Sequence, residues 1–412
     1  MHIMISASVG VGKGNDAFRA GKEACEAALA GMPARQSPPT GGAGGPTKKA
    51  QALLVFGSIF FDQDKLIEGV AKAAAETASD AVITGCSTAG ELSSEGFAAE
   101  KSVVVMALSS DSLKFSGGLG NHILWNPRQA GEDCGKMVGE GLSGLNCSGL
   151  MFTDIVTGSG EAALEGFAAG FGVVAPIYGG AAGDDLLFLE TYQYFRDKAY
   201  TGSVVGLGIC GPHFSTGIAM HGFLPIGRAR LVTKTAGRRL HSLDGKPATS
   251  IYEEYFGEDY LAELHRESLP TLATSYPLGV YSLDRDDVLL RNPIAVENGG
   301  TMTFASPIPF GIETRLMISD SERGLETVTL AATEVANRLA GRKPKAIVVI
   351  DSVTRKRMLG PRADEEVEII QRILGRDVPI AGFYGYAEIA AGKPEDALVH
   401  NGSILIWVLS EQ

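Results

Sequence analysis

Three stretches decide the fold: Ile83-Thr-Gly85-Cys-Ser-Thr-Ala-Gly-Glu91-Leu92, Ile177-Tyr-Gly179-Gly-Ala-Ala-Gly-Asp-Asp185-Leu186 and Ile380-Ala-Gly382-Phe-Tyr-Gly-Tyr-Ala-Glu388-Ile389. Isoleucine, glycine, an acid and an aliphatic residue coincide in all three. A glycine two residues into a strand permits a bulge or a close approach of backbones. The acid six residues later falls on the same face if the chain stays extended.

Each stretch closes the same longer order. A helix from Asp16 to about Leu29 precedes a strand at 52–56, an Ala-rich helix at 64–78, the first glycine strand and a strand at 102–108. The order returns as helix 128–142, strand 149–156, helix 161–171, the second glycine strand and strand 203–210. It returns again as helix 325–339, strand 346–352, helix 364–374, the third glycine strand and strand 403–409. Apolar periodicity and capping residues carry these assignments. They predict an α/β (mixed α+β) fold of repeated helix-strand-helix-strand-strand units, with mixed sheets covered by helices. Residues 211–322 break the order with short strands and five prolines between 270 and 309, so two domains are expected, 1–224 and 225–412. Residues 33–49 (PARQSPPTGGAGGPTKK) can form no core and read as a Pro/Gly-rich loop.

The chain has 412 residues, more than one ordinary core accommodates. A net charge of −12 argues against broad nucleic-acid or anionic-membrane binding. No apolar run reaches the roughly 18–20 residues of a membrane span, and no secretory signal is visible. The five cysteines are odd in number and form no Cys-x-x-Cys pair, so neither a disulfide framework nor a zinc site is expected. A reducing cytoplasm fits this pattern.

The chemical motifs are weak. Gly10-Val-Gly12-Lys13-Gly14 lies between a strand and a helix, but Ala7 and Gly14 break the phosphate-loop pattern, leaving a tight turn. Gly85-Cys-Ser87-Thr-Ala89 is like a nucleophile elbow without the helix that should follow Ser87. A hydrolase using Ser87 or Cys86 is the least favoured reading, and no catalytic constellation is convincing. None of the seven histidines has metal-ligand spacing.

The chain resembles the FIST family, the F-box and intracellular signal transduction proteins. Gly85 to Glu91 and Gly179 to Asp185 resemble two N-terminal signatures. His221-Gly-Phe-Leu-Pro225-Ile-Gly227, Leu243 to Ala248 with Tyr252, Gly382 to Ile389 and His400-Asn401-Gly-Ser403 resemble C-terminal ones. Departures are Val353 for an expected cysteine, Ala387 for a usual glycine, and Gly402. The resemblance implies a cytoplasmic sensory protein that binds a small ligand, an amino acid or similar metabolite, and signals through a separate protein such as a histidine kinase. Glu91, Asp184, Asp185 and Glu388 would then accept hydrogen bonds from an ammonium group. Arg355 would clamp a carboxylate, and Tyr384 and Tyr386 would form the walls. The alternative it implies is a haem b sensor of nitric oxide, with His221 the first candidate for the iron and His400 the second.

Overall fold

A computed structural model describes residues 4–33, 49–98, 101–142, 146–257, 275–281, 288–297, 299–390 and 398–412. All but the ends of the 33–49 segment, and the helix read at 259–264, lie outside the described residues. The first repeat runs β1 (Ile5–Lys13), α1 (Ala17–Ala30), β2 (Ala52–Ser58), α2 (Gln63–Thr77), β3 (Val82–Thr88), β4 (Glu91–Ser93), β5 (Gly96–Ala98) and β6 (Ser102–Ser110). The second is β7 (Lys114–Gly120), α3 (Pro127–Gly139), β8 (Cys147–Thr153), α4 (Gly160–Phe171), β9 (Ile177–Ala181), β10 (Tyr192–Phe195), β11 (Lys198–Thr201) and β12 (Val204–Cys210). The third opens with β13 (Phe214–Met220). An excursion then carries β14 (Leu224–Ala236), β15 (Arg239–Leu243), β16 (Lys246–Pro247), α5 (Ser250–Phe256), β17 (Leu278–Tyr281), β18 (Val288–Arg291), β19 (Pro293–Val296), β20 (Met302–Phe304) and β21 (Glu313–Ile318). The repeat resumes with α6 (Ser321–Leu339), β22 (Pro344–Ser352), α7 (Val353–Leu359), α8 (Asp364–Leu374), β23 (Ile380–Gly385), β24 (Ala387–Ala390), β25 (Leu398–His400) and β26 (Ile404–Ser410).

Local chemistry sets the helix starts. Asp16, Asp62, Asn126, Ser159 and Asp320 each accept a hydrogen bond from a backbone N–H in the first turn of α1, α2, α3, α4 and α6. The strands read as nearly continuous apolar runs because both faces are buried. In β2, Ala52, Leu54 and Phe56 face one core while Leu53 and Val55 face another. In β26, Leu405, Trp407 and Leu409 alternate in the same way with Ile404, Ile406 and Val408. The inner faces of the three sheets share one core, and helices pack on the outer faces. Phe56, Phe152 and Phe383, one from each repeat, meet in it with ring centroids 4.9 to 6.0 Å apart. Burying each ring contributes roughly 1.5–3 kcal/mol.

The sheets are completed by exchange. β2–β3, β8–β9 and β22–β23 are parallel pairs within each repeat. The hairpin that follows leaves for a neighbour: β4–β5 pairs with β23, β10–β11 with β3, and β24–β25 with β9. The exchange is cyclic, first to third, second to first and third to second. The excursion forms its own antiparallel sheet over a separate apolar core containing Val232, Tyr252, Phe304 and Leu316.

One expectation is corrected here. Cys147 and Cys210 form a disulfide, because antiparallel pairing of β8 with β12 sets them directly opposite each other. Cys25, Cys86 and Cys134 are free and buried.

Candidate functional site

Gly85, Gly179 and Gly382 occupy one position in the three repeats. Each faces a residue of the parallel neighbour strand: Val55, Met151 and Val349. A Cβ on any of them would lie 1.8 to 2.0 Å from that neighbour's carbonyl oxygen. The glycines are therefore a device for close strand approach.

The acids six residues later do not stay on those strands, because the chain turns and the hairpin departs. Glu91 pairs opposite Phe383, and Glu388 opposite Gly180. The corresponding residue of the second repeat is Gln193, opposite Cys86, and not Asp185. The loop 182–191 displaces Asp185 from register. All three have the same partner, a serine at the next strand. Ser102 Oγ donates to Glu91 Oε2, Ser203 N to Gln193 at 3.1 Å, and Ser403 N to Glu388 at 3.0 Å.

At this end of the repeats lies a polar cleft of about 470 Å³ whose lining includes Glu91, Phe97, Lys101, Asp185 and Lys356, with Gly14 and Asn15 at its edge. Glu91 is 1% exposed and accepts hydrogen bonds from Thr88 and Ser102. Burial pushes its carboxyl up to about 7, against the opposing pull of those two hydroxyls and of Lys356. Lys356 Nζ donates to the Ala89 carbonyl, lies 3.3 Å from Asp185 Oδ1 and sits 5.4 Å from the Phe97 ring centre. Asp185 and two lysines around one open volume, with the Glu91 carboxyl buried in its wall, can hold a small molecule carrying both signs of charge.

Other expected site residues lie elsewhere. Arg355 is fully buried, with Nε 2.8 Å from Asp351, and Nη2 2.7 Å from Glu366 and 3.1 Å from the Gly324 carbonyl oxygen. Two carboxylates already occupy it, so it is not an open clamp. Tyr384 is buried beside it and donates to Glu366 at 2.7 Å. Glu388 is fully buried, and burial holds its carboxyl well above the usual range. Asp184 is not presented to a ligand: it accepts from the backbone N–H groups of Phe188, Leu189 and Glu190 and from Tyr386 Oη. Tyr386 lines a different, apolar cavity.

Both ring nitrogens of His221 are already engaged. His221 Nε2 lies 2.9 Å from the Val288 carbonyl oxygen, and its Nδ1 accepts from Phe223 N at 3.2 Å. Binding iron through either nitrogen would break one of those bonds. His400 is on β25, opposite Glu388. Neither lines the cleft. Ser87 is buried, with Oγ donating to the Gly183 carbonyl and accepting from Tyr192 N, each at 3.0 Å. Burial pushes the Cys86 thiol well up, which disfavours the thiolate nucleophile. Sequence reasoning missed Lys101 and Lys356. Lys356 adjoins Arg355 on α7, where successive side chains point about 100° apart.

Residues 51–246 match the FIST N domain model, and residues 248–391 match the FIST C domain model. An uncharacterised protein of Methanocaldococcus jannaschii is 24% identical over 298 residues, covering 67% of this chain and 56% of that relative's length. Among solved structures, cyanuric acid hydrolase from A. caulinodans matches at 8% identity and TM-score 0.35, over 99% of both chains. T. maritima PurL complexed with ADP matches at 11% identity and TM-score 0.24, over 99% of this chain and 72% of that one. Neither likeness is close enough to bear on function.

Proposed function

The chain belongs to the FIST family, whose domains are signal-transduction sensory domains, and from that premise we propose that it senses a small zwitterionic metabolite of the amino-acid type. The observation that supports this is the cleft, with Glu91 and Asp185 set among Lys101 and Lys356. An ammonium group would be held by Asp185, whose side chain is 38% exposed, and a carboxylate by the two lysines. Phe97 adds an apolar wall for a side chain. No helix among the described residues is long and apolar enough to cross a membrane. Output would pass to a separate signalling protein such as a histidine kinase.

The test is a thermal-shift screen of the full chain against the twenty standard amino acids and small dicarboxylates, followed by calorimetry. A ligand that binds only the folded form raises its melting temperature. Lys356→Met should weaken the best binder by about tenfold, the scale of one charge-assisted contact. If nothing in the panel shifts the melting temperature, or if Lys356→Met leaves affinity intact, the reading is wrong.

A further inference from the structure

A second cavity, of about 250 Å³, opens between the excursion and the repeats. The excursion contributes Asn292 and Ile294, the second repeat Leu186 and Phe188, and the third Val353 and Tyr386. Ser352 and Thr354 add two hydroxyls. No formally charged side chain lines it among the described residues. An ion entering would lose its hydration without meeting a counter-charge.

Its polar groups are nearly all engaged. Tyr386 Oη accepts from Leu186 N at 2.8 Å and donates to Asp184. Thr354 Oγ1 accepts from Asn292 Nδ2 at 2.7 Å, and Ser352 Oγ accepts from Thr354 N at 3.3 Å. The exception is Asn292 Oδ1. Asn292 is 6% exposed, and this oxygen is buried with no partner among the described residues. An orphaned acceptor is costly, and a donor arriving with a ligand relieves it. Along the wall, Phe188 stacks on Tyr386 with centroids 4.7 Å apart and planes at 17°. Such a pair offers a flat face to another aromatic ring.

We propose that this cavity is a second binding site, for a small neutral aromatic molecule with one hydrogen-bond donor, of the indole or phenol class. Its ring lies on the Phe188–Tyr386 platform and its donor meets Asn292 Oδ1. The volume is below the ~300–1,000 Å³ of sites for drug-sized ligands, which limits the occupant to one or two rings. The site is distinct from the polar cleft, although the two share walls. Asp185 and Lys356 face the cleft, while Leu186, Phe188, Val353 and Thr354 face the cavity.

Calorimetric titration of the full chain with indole and with 1-methylindole tests this. The two share their rings, but only indole carries an N–H. Indole should bind about tenfold more tightly, the worth of one hydrogen bond to a buried acceptor. Asn292→Leu should bring the two affinities to within about twofold by removing that acceptor. Because this variant also loses the bond to Thr354 and could fail to fold, Ile294→Trp provides a second arm. It fills the cavity, and should abolish binding of both compounds while the circular dichroism spectrum stays unchanged. The proposal is overturned if indole does not bind, if the two compounds bind the unaltered protein equally, or if indole binding survives Ile294→Trp.

Discussion

Gly382 lies so close to Val349 on the neighbouring parallel strand that a Cβ added to it would sit 2.0 Å from the Val349 carbonyl oxygen. Backbone cannot yield as a flexible side chain does. Gly382→Ala should therefore destabilise the protein by about 1–3 kcal/mol, the usual cost of overpacking, and Gly382→Val by more. Urea unfolding measures both. Gly85→Ala and Gly179→Ala should cost at least as much. Their φ values of +153° and +144° add a conformation that side-chain-bearing residues rarely adopt. A Gly382→Ala variant as stable as its parent would show that the strands separate easily.

Glu91 should give the fold a pH dependence. Its carboxyl is raised from 4.5 to about 7 by burial. Between those values the folded chain keeps a proton that the unfolded chain has lost, so stability falls as pH rises and levels off above about 7. The full loss is about 3 kcal/mol for a shift of this size. Glu91→Gln should lose that slope and gain stability relative to the parent above pH 7. Chemical unfolding at pH 5 and pH 8 measures it, and identical pH profiles would place the ionised carboxylate in the fold already.

Arg355 should matter for stability. Removing the guanidinium leaves Asp351 and Glu366 buried without their cation, a loss of about 3–5 kcal/mol for Arg355→Met. Arg355→Lys should also be less stable than the parent, since one ammonium cannot reproduce the planar fork across Asp351, Glu366 and the Gly324 carbonyl. Denaturant midpoints for the pair check this. Unchanged midpoints would mean that the guanidinium contributes little to holding these side chains in the core.

Tyr386→Phe removes one hydroxyl that both accepts from Leu186 N and donates to Asp184. Leaving those groups without it should cost about 1–3 kcal/mol. The loss should be local, with faster amide exchange at Leu186, Phe188 and Leu189. Exchange that accelerates uniformly over the chain would assign the hydroxyl a global role.

Much of the fold was legible in the sequence. Repeats announced themselves through helix caps such as Asp16 and apolar strands such as 102–108, which are local signals. The repeated motifs singled out Glu91, Asp184, Asp185 and Glu388, of which Glu91 and Asp185 line the cleft and the other two do not. What stayed hidden depends on residues distant in the chain. Cys147 and Cys210 are 63 residues apart and meet only through strand register. Gln193 corresponds to Glu91 and Glu388 only once the hairpins are paired, because the loop before β10 shifts the count. Arg355 looked like a ligand clamp until α8 brought Glu366 to it. Lys356 was passed over because helix phase, not residue type, turns it to the cleft.

The cyclic exchange of hairpins governs how the chain can assemble during synthesis. When the first repeat emerges, β3 has an unpaired edge that must wait for β10, and β4–β5 has nothing to join until β23 is made. Ser94 and Ile380, which hydrogen-bond across that last junction, are 286 residues apart. Contacts so distant close late and slow the final step. Until then the open edges are templates for another nascent chain, so hairpins passed between molecules are the characteristic misassembly of this architecture.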